Sequence, residues 1–106
     1  MEVIRSEHFK RQVAAELDRE GRPSVEQFDQ QLAHVAELTF SAFWNDPTIV
    51  PTADNESGVR ITLITPPPPY MFPPSVFYAR QIDDNTLEMI GVDFEWDYWD
   101  RVSEDE

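Results

Sequence analysis

The stretch from Gly58 to Trp96 constrains the fold more than any other part of the chain. It holds three runs rich in β-branched and aromatic residues, over 59–65, 76–82 and 87–96. The last two flank Asp83-Asp84-Asn85-Thr86, a short polar turn of the kind that closes a hairpin. In the first run Val59, Ile61 and Leu63 alternate with Arg60 and Thr62, which predicts a half-buried strand with the aliphatic residues inside. In the last run Ile90, Val92, Phe94 and Trp96 share one parity, and Met89, Gly91, Asp93 and Glu95 the other. That alternation fits an antiparallel strand with one wet face.

Two helices are expected ahead of these strands. Glu2-Val3-Ile4 reads as a short edge strand, and Ser6 as an N-cap with Glu7 in the first turn. Phe9, Val13 and Leu17 then recur every four residues, with Ala14 beside them, as one face of an amphipathic helix. Gly21 and Pro23 stop it. Ser24-Val25-Glu26-Gln27 is a capping box that starts the second helix. Its apolar stripe is predicted to comprise Val25, Phe28, Leu32, Val35, Ala36 and Phe43, widened by Leu38 and Phe40. Asn45-Asp46-Pro47 ends it, because a residue before proline avoids the helical region. A connection of about three residues makes the pair an antiparallel hairpin.

Residues 54–58 read as an exposed loop tip. Residues 66–74 read Pro-Pro-Pro-Pro-Tyr-Met-Phe-Pro-Pro, and consecutive prolines cannot join a β-ladder. Two readings stand. One is a stiff connector whose Tyr70, Met71 and Phe72 fold back on the core. The other is a projecting recognition loop that presents Tyr70 and Phe72 to a partner.

The 106 residues suit one domain over 1–97, followed by an acidic tail over 98–106. The chain has no cysteine, which excludes disulfides, thiolate zinc sites and cysteine nucleophiles. The charged N-terminal stretch is unlike a signal peptide, and no apolar run reaches membrane length. A cytoplasmic protein is therefore expected. The net charge is −13, and it is unevenly placed. Residues 1–22 hold five bases and five acids, whereas residues 83–106 hold ten acids and one base, Arg101. Such a field repels a nucleic-acid backbone and attracts a basic protein, while also keeping a small domain soluble.

The order β-α-α-β-β-β at this length resembles the RelE/ParE superfamily of type II toxin–antitoxin toxins. The likeness rests on Val3-Ile4-x-Ser6, on Gly58-Val59-Arg60-Ile61, and on Val76-Phe77-Tyr78 followed by Ile82-Asp83-Asp84-Asn85-Thr86-Leu87-Glu88-Met89-Ile90-Gly91-Val92. The resemblance implies an antitoxin or a target protein as partner. It also implies, for the ribosome-dependent ribonucleases of the superfamily, basic residues that hold the RNA phosphate. Here only Arg60 and Arg80 fall in the sheet, the C-terminal end is acidic, and prolines stand where a tight hairpin is usual.

Catalytic constellations are not evident. His8 and His34 lack a paired ligand, and no serine has a nucleophile-elbow context. Asp93, Glu95 and Asp97 share one strand parity, and read as a solvated face rather than a Mg²⁺ site. No metal and no cofactor is expected. Arg80 is expected to pair with Glu88 or Asp93 across the hairpin, or else to face a partner beside Tyr78. Trp96, Tyr98 and Trp99 either anchor an interface or cap the end of the core.

The sequence thus predicts an α+β domain, a helical hairpin packed on one face of a three- to four-stranded antiparallel sheet. The leading function is a non-catalytic interaction module whose acidic C-terminal half meets a basic partner. The candidate partner-binding residues are Arg60, Tyr70, Phe72, Tyr78, Arg80, Trp96, Tyr98 and Trp99. The alternatives are a ribosome-dependent mRNA endoribonuclease, with Arg60 and Arg80 on phosphate, and an acidic mimic of nucleic acid that blocks a DNA- or RNA-binding protein.

Overall fold

Residues 2–52, 58–66 and 72–98 are described by the computed structural model. The elements are β1 (Glu2–Arg5), α1 (Glu7–Leu17), α2 (Val25–Phe28), a π-helical turn (Asp29–Ala33), α3 (His34–Phe43), β2 (Arg60–Ile64), β3 (Ser75–Asp83) and β4 (Thr86–Phe94). The α+β class holds. The sheet differs from the expected one in a single pairing: it is mixed, not wholly antiparallel. Its strand order is β1-β4-β3-β2, and β1 lies parallel to β4, with Val3 opposite Leu87 and Arg5 opposite Met89. Parallel neighbours need a long crossover, and here the helices with β2 and β3 provide it.

Both predicted caps form. The Ser6 hydroxyl accepts from the Phe9 amide at 3.0 Å. Ser24 and Gln27 close the capping box, each accepting the other's backbone N–H, at 3.2 and 2.9 Å. The first helix buries Phe9, Val13 and Leu17 as expected and ends at Leu17, before Gly21 is reached. Gly21 instead takes φ +84° in the seven-residue connection that follows. That connection is longer than predicted. α2, the π turn and α3 run on as one helical rod, which stops where the Asp46 carboxylate accepts from the amide and hydroxyl of Thr48. These bonds, the hydroxyl's above all, hold the Asp46 carboxyl below its ordinary pKa.

The π turn corrects the predicted stripe of the second helix. It adds one residue to the helical repeat, so every later inward position moves on by one. Ala36, Phe40 and Trp44 are buried, while Val35, Leu38 and Phe43 are exposed. The carboxylates of Asp29 and Glu37 both face Arg5 of β1, at 2.6 and 2.7 Å. This tie spans the π turn and fixes the rod against one sheet edge. α3 also meets β2, the opposite edge strand, so it lies across the strands.

A second one-residue insertion sits in β4. Tyr78 pairs with Gly91 and Ala79 with Met89, leaving Ile90 as the extra residue of a β-bulge. The bulge switches parity within the strand. Leu87 and Met89 face the helices before it, Val92 and Phe94 after it. Met89 is therefore inside, against the simple alternation. Beyond the end of β1, α1 takes over the flank of β4: the Gln12 side chain accepts from the Val92 amide at 3.0 Å.

The core centres on Phe28. Its ring lies 6.2 Å from Phe9, 5.8 Å from Phe72, 6.3 Å from Phe77 and 5.7 Å from Phe94. It thereby joins both helices to three parts of the sheet region. Replacing this fully buried ring by Phe28→Ala is expected to cost about 3–5 kcal/mol, read from urea denaturation. A loss below about 1 kcal/mol would show that the ring is not the joint described here.

Candidate functional site

The helices cover one face of the sheet, and the strand register builds the other. Leu63, Val76 and Asp93 form one transverse row on β2, β3 and β4. Ile61, Tyr78 and Gly91 form the next, and Arg80, Glu88 and Ile4 a third. The first two rows carry an aliphatic and aromatic surface, with Leu63 62% exposed. Carboxylates stand at its far side.

The parity of β2 is opposite to the predicted one. Thr62 is buried, and Ile61 and Leu63 look outward. Arg60 explains the choice. Its guanidinium turns to the helical layer, lies 4.6 Å over the Trp44 ring, and donates to the Trp44 carbonyl. With Arg60 inward, its neighbours Ile61 and, two residues on, Leu63 must face out.

Tyr78 donates its hydroxyl to Asp93 at 2.7 Å, a diagonal contact on the outer face. That bond raises the Tyr78 pKa above its ordinary value of 10.0, and partial burial and the negative charge of Asp93 and Glu95 act in the same direction. Arg80 takes the first of its expected pairings. It donates through Nε and Nη2 to Glu88 Oε1 at 3.1 and 3.0 Å. Arg60 and Arg80 also line one notch, where β3 outruns β2, together with Trp44, Thr52, Gly58 and Gln81.

Five other candidates remain, and two of them fall outside the described residues. Phe72 is 2% exposed and packs on Phe28 and Phe94, so it follows the connector reading and does not present itself to a partner. Tyr70 and Trp99 lie outside the described residues, as do most of the proline run, the loop tip before Gly58 and the tail after Tyr98. Trp96 caps the core. It stacks on Phe94 at 5.2 Å, takes the Arg22 guanidinium on its ring at 4.2 Å, and donates to Glu16 at 3.1 Å. The Tyr98 amide closes a turn onto the Glu95 carbonyl at 3.0 Å.

Two residues that matter to this arrangement carried little signal. Trp44 enters the inward stripe only once the π turn is counted. Gln12 is one polar residue among several on α1, and nothing in the sequence marks it as the partner of a strand edge. His8 and His34 are both exposed, on separate helices. Among the described residues no group of three or more metal-ligating side chains forms, and no helix is long and apolar enough to cross a membrane. Comparison with family models, curated proteins and solved structures returns no match.

The two arginines are expected to differ in what they hold. Arg60→Ala removes a ring contact and a carbonyl bond, and should lower the unfolding free energy by about 1–2 kcal/mol. Arg80→Ala, which removes an exposed pair, should cost less than about 1 kcal/mol. Denaturant titration distinguishes them, and equal losses would contradict the assignment.

Tyr78 gives a pH signature. A pKa raised in the folded state means that its contribution is complete below about pH 10, the unfolded value, and fades as pH rises through the folded one. Stability of the native chain should therefore fall more steeply above pH 10 than that of Tyr78→Phe. Parallel alkaline profiles would show that the Asp93 bond is not formed.

Proposed function

We propose that this chain is a non-catalytic protein-interaction module whose acidic C-terminal half docks a basic protein partner. The observation that carries the reading is the internal commitment of the sheet's cations. Arg5 holds Asp29 and Glu37, Arg60 lies on Trp44, and Arg80 holds Glu88. Lys10 and Arg22 likewise meet Glu7 and Glu16. Asp83 and Asp84 at the β3–β4 turn, Asp93 on the outer face and Asp97 beyond the end of β4 are all exposed. A partner that covers Ile61, Leu63, Val76 and Tyr78 while answering those carboxylates must combine apolar and basic groups.

The β-α-α-β-β-β order is compatible with a RelE/ParE-like origin, and such a partner is then an antitoxin or a basic target. The ribonuclease alternative needs Arg60 and Arg80 on phosphate. Their engagement with Trp44 and Glu88 weighs against it, since breaking either contact costs part of what a phosphate would return.

Affinity capture from native extract of the source cells tests the reading. A partner retained at low salt should be lost from the triple variant Asp84→Asn, Asp93→Asn, Asp97→Asn, and kept by a control with Glu20→Gln and Glu26→Gln on the helical side. Equal retention by both variants, or no retained partner at any salt concentration, would overturn it.

A further inference from the structure

Among the described residues, the edge of β2 is open at Leu63, beside an apolar cleft. Ile61 donates its amide away from β3, to the Pro51 carbonyl at 2.9 Å. The pairing of β2 with β3 is regular from Arg60 to Ile64, and backbone groups alternate sides along an antiparallel strand. The N–H and C=O of Leu63 therefore point to the same outer edge as those of Ile61. Thr52 bridges to Arg60, and no described residue pairs with β2 at Leu63.

Directly inside that edge lies a cleft of about 90 Å³, lined by Leu32 and Val35 of the helical rod and by Ile64, Pro66 and Phe72. Apolar cavities of about 150 Å³ hold a benzene ring, so this smaller cleft is sized for one aliphatic side chain. Val35 is 44% exposed, because the π turn rotated it out of the core and onto the cleft wall.

We infer that an extended peptide segment adds to β2 at Leu63 and sets one aliphatic side chain into the cleft between β2 and the helix. The edge requires an extended backbone, since only a strand presents donors and acceptors at the spacing Leu63 offers. The alternation of side chains then places one residue across Ile64, on the cleft side, and the residue across Leu63 on the outer face. Charge decides the rest. A chain of net charge −13 disfavours an acidic strand, and with it an edge-to-edge pairing of two copies. The segment that fits is an aliphatic strand with basic residues at its outward positions, whose stems lie over Leu63. This deepens the proposed function and rests on its partner being basic, but it specifies a backbone interaction that the outer face alone does not require.

The probe is a nine-residue synthetic peptide alternating lysine with valine and leucine, paired with an analogue N-methylated at alternate amides. Binding is followed by amide NMR and hydrogen exchange. The Leu63 amide of the free chain should exchange quickly, and become protected when the peptide binds. The N-methylated analogue should bind at least tenfold more weakly. Leu63→Pro should weaken the unmodified peptide by a similar factor without unfolding the chain, because proline is tolerated on an edge where its missing N–H faced outward.

Equal binding of the two peptides would reduce the effect to charge and overturn the inference. So would no binding, or a Leu63 amide already protected in the free chain by its own residues or by a second copy. Capture of a basic partner that leaves the Leu63 amide unprotected would remove this inference and leave the proposed function standing.

Discussion

The Phe28 ring cluster determines which surfaces this protein has left to offer. One aromatic side chain draws Phe9 from the first helix, Phe77 and Phe94 from the sheet and Phe72 from the segment ahead of β3 into a single layer. All of that burial lies on one side of the sheet. Aliphatic residues on the other side of β2 and β3 have no place in it, although they have the composition of core residues. The open face is thus a consequence of a one-sided core, and not of a polar strand pattern.

Much of this was legible in the sequence, and the misreadings share a cause. Ser6, the Ser24–Gln27 box and the turn at Asp83–Thr86 are local signals, and all three formed where the residues placed them. Periodicity carries longer-range information only while the repeat stays regular. The π turn over Asp29–Ala33 and the bulge at Ile90 each insert one residue. Downstream of the first, Ala36 and Phe40 are inside as expected, but Val35 and Leu38 turn outward and Trp44 takes the place of Phe43. Upstream of the second, Met89 and not Ile90 is inside. The π turn has no local sequence mark and goes with a tertiary contact, the tie from Arg5 to Asp29 and Glu37, whereas the bulge has one hint, Gly91 beside it, since glycine inside a strand run often accompanies a bulge. The inverted parity of β2 has the same character, since it follows from Arg60 reaching a tryptophan sixteen residues earlier. Parallel pairing of β1 was equally silent, as a four-residue edge strand reads alike in either direction.

Charge and packing converge on the same surface. The arginines that reach the sheet from either side are engaged by carboxylates or rings of the chain itself. Each such pair is modest in energy where exposed, yet together they occupy the basic side chains that reach the sheet, and the chain as a whole keeps a net charge of −13. In the proposed reading, the net negative charge beside an aliphatic patch suits a basic, partly apolar surface far better than a phosphate backbone. The cleft beside β2 adds shape to that preference, because backbone groups and a small apolar pocket lie side by side there.

Paramagnetic relaxation of side-chain methyl signals by a soluble gadolinium chelate measures this one-sidedness directly. The methyls of Leu63, Ile61 and Val76 should broaden strongly, while those of Leu87, Met89 and Val92 stay sharp. Equal protection of the two sets would mean that both faces of the sheet are covered, and that the surface assigned to a partner does not exist.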